Sequence, residues 1–448
     1  MAQKNAKPQD LALHVLEKLN HSKLPLPVPP ITVLEELFEC MFFTSMRTEE
    51  SDLIKVTVTL IDPENPDPRP PKRIVAERWS SICFELPLEF TIKNLVKLSK
   101  ASDPSTTSLA VYYDAQGKLS IWGMIDQAIH YHNFLNYESE SGSEQPGLFQ
   151  VTISDIGTLN VLFDYELLAT LKQNTLVTRY LDVFTIGPVS KILKANAAHL
   201  KIDLMAFLAA MHPGEDFEDW ESFINGIWIQ TLSRLLLRIQ NYHHGGAILI
   251  TDDEQEIDIK YRIRYDRLKI AISKYAKETI NNYVAENLID GNLNGGRKVI
   301  SKTSYLEESR SLYAKNEIAD EIKGAISFLS SHTCVDGVLL FDRDMVSKGF
   351  GAVLKARRMP KKIFVSGTAT ATPKSMMPVD PNHFGTRHRS MIAYCWNYPG
   401  SLGLVISQDG DIRAFYRIDE KLIMWENIKT QQFLKSRKLK RQAATDRI

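Results

Sequence analysis

Apolar positions recur along this chain with two periods, and the switch between them lays out the elements. Residues 10–20 read as a short amphipathic helix, followed by a proline-rich connector (Leu24 to Pro30) whose fixed backbone makes an extended spacer. Leu53 to Leu60 alternates through Ile54, Val56, Val58 and Leu60, the signature of a half-buried strand. The proline-rich stretch from Asp62 to Pro71 is a loop. A helical segment beginning at Phe90 (Ile92, Leu95, Val96, Leu98) leads to a strand, Ser108 to Asp114. A turn at Gln116-Gly117 and a second strand, Leu119 to Ile125, follow. Beyond an acidic, serine-rich loop (Glu138 to Ser143), strands Phe149–Ser154 and Thr158–Phe163 flank the turn Asp155-Ile156-Gly157.

The middle of the chain, 165–300, shifts to helical spacing. Ile227, Leu232, Leu235, Leu236 and Ile239 line one side of a helix, and His243-His244-Gly245-Gly246 gives it a glycine stop before the strand Ala247–Ile250. The paired histidines suit either a metal or phosphate contact or the negative end of a helix dipole. Lys260, Arg262, Arg264, Arg267 and Lys269 form a basic stripe; interspersed Asp258 and Asp266 make it an ion-pair face. Leu268 to Leu288 predicts a long helix stopped at Asp290-Gly291, with a hinge at Asn292–Gly296. Ser304-x-x-Glu307 reads as a capping box opening the next helix, whose buried stripe is Ile318, Ile322, Ala325, Ile326 and Leu329.

That helix feeds a strand over 335–341 and a turn near Asp344. A helix over 388–396, a strand over 402–407, a turn at Asp409-Gly410 and a return strand from Ile412 to Tyr416 complete the pattern. Helix–strand–strand order thus occurs in both halves. Val151–Gly157 aligns with Val405–Gly410, Leu109–Asp114 aligns with Gly337–Asp342, and Ser108 falls where Asp336 stands. The expected class is α/β, a mixed sheet flanked by helices in the C-terminal domain, with the N-terminal half a degenerate copy. The expected segments are 1–30 (helix and connector), 31–185 (N-terminal α/β domain), 186–296 (helix-rich middle), 297–430 (C-terminal domain) and 431–448 (basic tail).

Composition narrows the classes. A chain of 448 residues, 44% hydrophobic and 24% charged, has room for about three domains with real cores. Lysine plus arginine equals aspartate plus glutamate, so no global field draws in nucleic acid or membrane, and neither is an expected partner. The four cysteines (Cys40, Cys83, Cys334, Cys395) form no CxxC pair, which argues against a zinc site or disulfide framework and for a reducing, cytoplasmic setting. The polar start, Met1 to Asp10, has no apolar core of a signal peptide, and the apolar run Ile227–Ile239 is broken by Arg234 and Arg238.

The candidate chemistry lies between Cys334 and Gly410. Asp336-Gly337 opens the apolar run Val338 to Phe341. Gly385-Thr386-Arg387-His388-Arg389 sits at a helix start, where backbone N–H groups, a hydroxyl and guanidinium forks converge on phosphate. Ser407 ends a strand, and Asp409 offers a second carboxylate for a cation. A DG step before a buried strand, then GTRHR, then a strand ending in serine and an acid: this set resembles the diadenylate cyclase (DAC) domain family, which joins two ATP molecules into cyclic di-AMP.

The resemblance implies an α/β fold whose active site is shared by two facing domains. Asp336 would be the catalytic or metal carboxylate, with Mg2+ or Mn2+ held by Asp336 and Asp409. Gly337, Gly385, Thr386, Arg387, His388, Arg389 and Ser407 would contact the nucleotide and its phosphates. Three departures stand out: DGA of the family is Asp336-Gly337-Val338 here, the paired acids are Gln408-Asp409, and the Leu-Pro stretch is Lys355-Ala356-Arg357-Arg358. With one carboxylate lost, the chain looks like the divergent DACNV type, a group of nucleotide sensors. The expected function is a sensor for an adenine nucleotide or cyclic dinucleotide such as cyclic di-AMP, signalling through a separate effector protein, as a pseudo-dimer or homo-oligomer. The alternatives are an active diadenylate cyclase and a non-binding scaffold.

Overall fold

The computed structural model describes residues 3–21, 28–65, 79–104, 106–126, 148–163, 166–215, 217–242, 244–294, 301–408 and 410–430. The loops at 66–78 and 138–143, most of the connector at 24–30, Asp409 and the basic tail lie outside them. Two compact units divide between Tyr180 and Leu181.

The first unit contains β1 (Gln3–Lys4), α1 (Pro8–His21), α2 (Ile31–Ser45), β2 (Thr48–Glu49), β3 (Asp52–Leu53), β4 (Val56–Leu60), β5 (Ser80–Glu89) and α3 (Ile92–Ser99). It continues with β6 (Thr107–Tyr113), β7 (Leu119–Asp126), β8 (Phe149–Asp155), β9 (Thr158–Phe163), β10 (Glu166–Lys172) and β11 (Thr175–Val177). Nine of these strands form one sheet in the order β1-β11-β10-β9-β8-β4-β6-β7-β5. α1 and α2 bury Leu11, Val15, Leu34, Leu37, Phe38 and Met41 against its apolar face, where Val56, Val58, Val151 and Ile153 project. The expected half-buried strand at Leu53–Leu60 is instead central: β4 lies between β6 and β8 and is buried on both faces. Its alternation is real, but the second face carries threonines rather than solvent-facing residues.

The second unit contains α4 (Pro188–Asn196), α5 (Ala198–Met211), α6 (Phe217–Gln240), β12 (Gly246–Ile250), β13 (Ile257–Tyr265), α7 (Arg267–Asn294), α8 (Lys302–Ser331), β14 (Val338–Phe341) and β15 (Ser347–Leu354). β16 (Ile363–Ser366), β17 (Met376–Val379), α9 (Thr386–Asn397), β18 (Leu402–Ile406), β19 (Ile412–Ile418) and β20 (Lys421–Trp425) complete it. Its nine-stranded sheet runs β13-β15-β14-β12-β18-β19-β20-β16-β17. One face packs against the α4–α8 layer through Ile248, Leu339, Phe341 and Leu404. The other, through Ala247, Leu249, Val338 and Val405, packs against Met391, Ile392 and Cys395 of α9.

Several expectations change here. The helix-rich middle region 186–296 belongs to the second unit: its strands β12 and β13 are part of the second sheet, and the division falls after Tyr180. α7 passes through Asp290-Gly291 to Asn294, because packing against α8 outweighs the glycine penalty. The cap of α8 is Ser301, whose Oγ accepts the Ser304 N–H at 3.1 Å, three residues before the capping box expected at Ser304. α6 ends at Gln240, so Gly245 (φ 64°) and Gly246 mark the entry to β12 rather than the helix cap. The basic stripe is an ion-pair face, but its partners come from elsewhere in the chain, through Arg262–Glu254 (2.9 Å), Arg267–Glu321 (2.7 Å) and Lys269–Asp344 (3.1 Å), while Asp258 pairs with Lys355 (3.0 Å).

The seven strands β5-β7-β6-β4-β8-β9-β10 of the first sheet and β13-β15-β14-β12-β18-β19-β20 of the second have the same order and the same chain sequence. Their relative directions also agree: β4–β6 and β12–β14 are parallel, and the remaining pairs are antiparallel. Val58 pairs with Leu109 and Val151 as Ile248 pairs with Leu339 and Leu404. That register carries Ile153-Ser154-Asp155-Ile156-Gly157 onto Ile406-Ser407-Gln408-Asp409-Gly410 and sets Thr106, two residues before Ser108, at the position of Asp336.

Candidate functional site

β12 and β14 run parallel and β18 antiparallel to β12, so the entries of β12 and β14 and the exit of β18 share one end of the second sheet. Gly245-Gly246, Asp336-Gly337 and Ser407-Gln408 therefore meet there. Asp336 lies in the bend before β14 and is exposed. Gly337 has φ 124°, and a Cβ on it would stand 2.5 Å from the backbone of Gly351 in β15. The glycine is thus demanded by the strand pair itself, whatever a ligand needs. Val338, the departure from DGA, is buried in the apolar layer beneath α9.

α9 is aimed at the same end. Its packing against β18 is close enough that a Cβ on Gly403 would stand 2.4 Å from Met391 Sδ. Gly385 is the N-cap and supplies no side chain to the first turn. Thr386 and Arg389 are exposed; Arg387 and His388 are half-buried. Arg387 turns inward: its Nη1 would stand 2.6 Å from a Cβ on Gly245, beside the backbone of Ile406 and Gln408. A side chain at 245 would displace the guanidinium, and the left-handed backbone there suits glycine for the same reason.

Ser407 has a local task. Its Oγ accepts the Asp411 N–H at 3.0 Å, its N–H donates to the Asp411 carbonyl, and its carbonyl accepts the Gly410 N–H, so it closes the β18–β19 turn. Asp409, within that turn, lies outside the described residues. Among the described residues no group of three or more His, Cys, Asp or Glu is arranged to hold a metal. The described part of the expected cation site is one carboxylate, Asp336.

Residues outside the DG and GTRHR segments also gather at this end. Arg413 of β19 donates from Nη1 to His388 Nε2 at 3.1 Å and from Nε to Glu426 at 2.8 Å, and its Nη2 stands 3.6 Å from Asp411. His388 also lies between the rings of Phe384 (5.8 Å) and Phe415 (6.1 Å). Burial, with the Arg413 and Arg387 charges, lowers its pKa to about 4, so the imidazole is neutral at pH 7. An Arg on a strand six residues after a serine has no motif of its own; only strand pairing brings it under α9.

The first unit is different at the corresponding places. The face that α9 covers in the second sheet carries a polar row in the first, beside a small apolar cluster with Ala110 and Trp122: Thr59 bonds Ser108 (2.6 Å) and Gln150 (3.1 Å), and Thr57 bonds Thr152 (2.9 Å). The segment between β7 and β8, residues 127–148, is shorter than that between β15 and β18 and contains no arginine or lysine.

Comparison with known families adds one finding. Residues 24–126, from the connector through β7, match the family model described as "Probable sensor domain DACNV". A DAC-like sensor domain of the DACNV family is therefore present in this protein. The match lies in the first unit rather than over 334–410, where the DG and GTRHR residues stand. No curated protein and no solved structure matches the chain. No helix among the described residues is long and apolar enough to cross a membrane.

Proposed function

We propose that this protein is a tandem DAC-like sensor in which the second unit binds an adenine nucleotide or cyclic dinucleotide, and the first is a copy without the phosphate grip. The reading rests on one observation above all: Arg387 of the GTRHR segment turns onto Gly245 and Gln408, at the sheet end where Asp336-Gly337 also stands. A guanidinium, a helix start free of a side-chain cap and glycine-lined strand ends offer donors to phosphate without a Cβ in the way. The shared seven-strand order and the family match over residues 24–126 of the first unit support the tandem reading. Output passes to a separate effector protein.

Titration calorimetry with ATP and with cyclic di-AMP tests this. The wild-type protein should bind at least one of them, and Arg387→Ala should abolish the heat while leaving the melting temperature within a degree or two. Absence of heat with both ligands in the wild-type protein sinks the proposal.

A further inference from the structure

His388 sits at the third position of α9, buried between Phe384 and Phe415, with Arg413 on one ring nitrogen. A guanidinium has five N–H donors and no acceptor, and it stays charged at any pH a protein survives. The 3.1 Å contact between Arg413 Nη1 and His388 Nε2 can therefore be a hydrogen bond in one sense only, with Nε2 accepting. Nε2 then bears a lone pair, and in a neutral ring the proton must reside on Nδ1. Arg413 is itself held from behind by Glu426 (2.8 Å) with Asp411 alongside (3.6 Å), so it cannot swing away without breaking a charge-assisted bond. Among the described residues nothing else bonds the imidazole, which leaves Nδ1–H unspent.

We infer that Glu426 and Arg413 form a relay that fixes the tautomer of His388, so that its Nδ1–H is a neutral donor reserved for a phosphoryl oxygen of the bound nucleotide. Arg413 is a positioning residue in this scheme, acting through His388 rather than on the ligand. The inference rests on the nucleotide reading for the identity of the acceptor, but not for the tautomer. The groups facing the ring are Arg387 on its own helix, Arg413 and Asp411 from the β18–β19 hairpin, and the two aromatic rings. Burial and then the two cations oppose protonation and one carboxylate favours it, so the ring donates without taking up a proton near neutral pH.

The test uses the full chain with nitrogen-15-labelled histidine. Long-range nitrogen–proton correlation spectra at pH 7, with the His388 signals assigned by loss in His388→Asn, read the tautomer directly. A protonated Nδ1 and an unprotonated Nε2 are expected in the ligand-free wild type; the reverse tautomer overturns the relay, and no substituted protein is needed to see it. In Arg413→Met the ring should titrate closer to the ordinary histidine value and become a tautomer mixture. ATP affinity should drop about tenfold, the loss expected for one hydrogen bond, and become proton-coupled below pH 7. Arg413→Lys, which keeps a donor, should recover part of the affinity. Unchanged titration of His388 in Arg413→Met would also overturn the relay. A wild-type protein showing the expected tautomer but no heat with ATP or cyclic di-AMP would refute the donor role and the nucleotide reading, while the relay itself stood.

Discussion

At the scale of single residues, the DG and GTRHR positions were readable because glycine, arginine and histidine in that order carry definite chemistry. What each does in the fold is partly different. Gly337 is required by its own φ and by the Gly351 backbone, and Ser407 closes a turn, so two residues expected at the ligand are also explained by local structure. His388 yields a pH prediction. Its folded pKa of about 4 lies below the ordinary value of about 6.5, so the unfolded chain binds more protons between those limits. Its contribution to stability is therefore intact above about pH 6.5 and declines as pH falls toward 4. Denaturant melts at pH 7 and pH 4.5 should show a smaller acid loss for His388→Gln than for wild type. Equal losses would contradict the burial of a neutral ring.

At the scale of elements, periodicity marks the helices around 10–20, 227–239, 268–288 and 388–396 and the strands around 108–114, 149–163 and 402–416, but their ends differ in the fold. α8 begins at Lys302 because Ser301 reaches the Ser304 N–H, a contact that Ser304-x-x-Glu307 obscures in the sequence. Ser301→Ala should cost about 0.5–2 kcal/mol in denaturant unfolding, as N-cap losses do, whereas Ser304→Ala should cost a few tenths of that. If the two losses were equal, the cap would be misplaced. The strand β4 shows why alternation alone misleads: threonine at every second position reads as a solvent face, yet Thr57 and Thr59 are buried in a hydrogen-bonded row with Thr152, Gln150 and Ser108. The equivalent positions of β12 are Ala247 and Leu249, which pack under α9. In the second unit α9 covers that face, and its residues there are apolar.

At the scale of the whole molecule, two sheets share one strand order, and the proposed function gives a phosphate grip to the second alone. One binding site per chain follows, so calorimetry should return a stoichiometry near one ligand per chain; a value near two would assign a site to the first unit. With one site and Gln408 in place of an acid, labelled ATP with Mn2+ or Mg2+ should remain uncyclised. Cyclic di-AMP formation that disappears in Asp336→Asn would overturn that expectation in favour of the cyclase. The amino-acid sequence by itself determined the α/β class, the order of most elements and the residue types able to meet phosphate, because these depend on periodicity and on local chemistry. Only the tertiary structure decided that 186–296 belongs to the second sheet and that the two sheets share seven strands. It also brought Gly245, Arg387, His388, Arg413 and Glu426 together. Strand pairing joins residues far apart in the chain, and no local pattern records which strand will lie beside which.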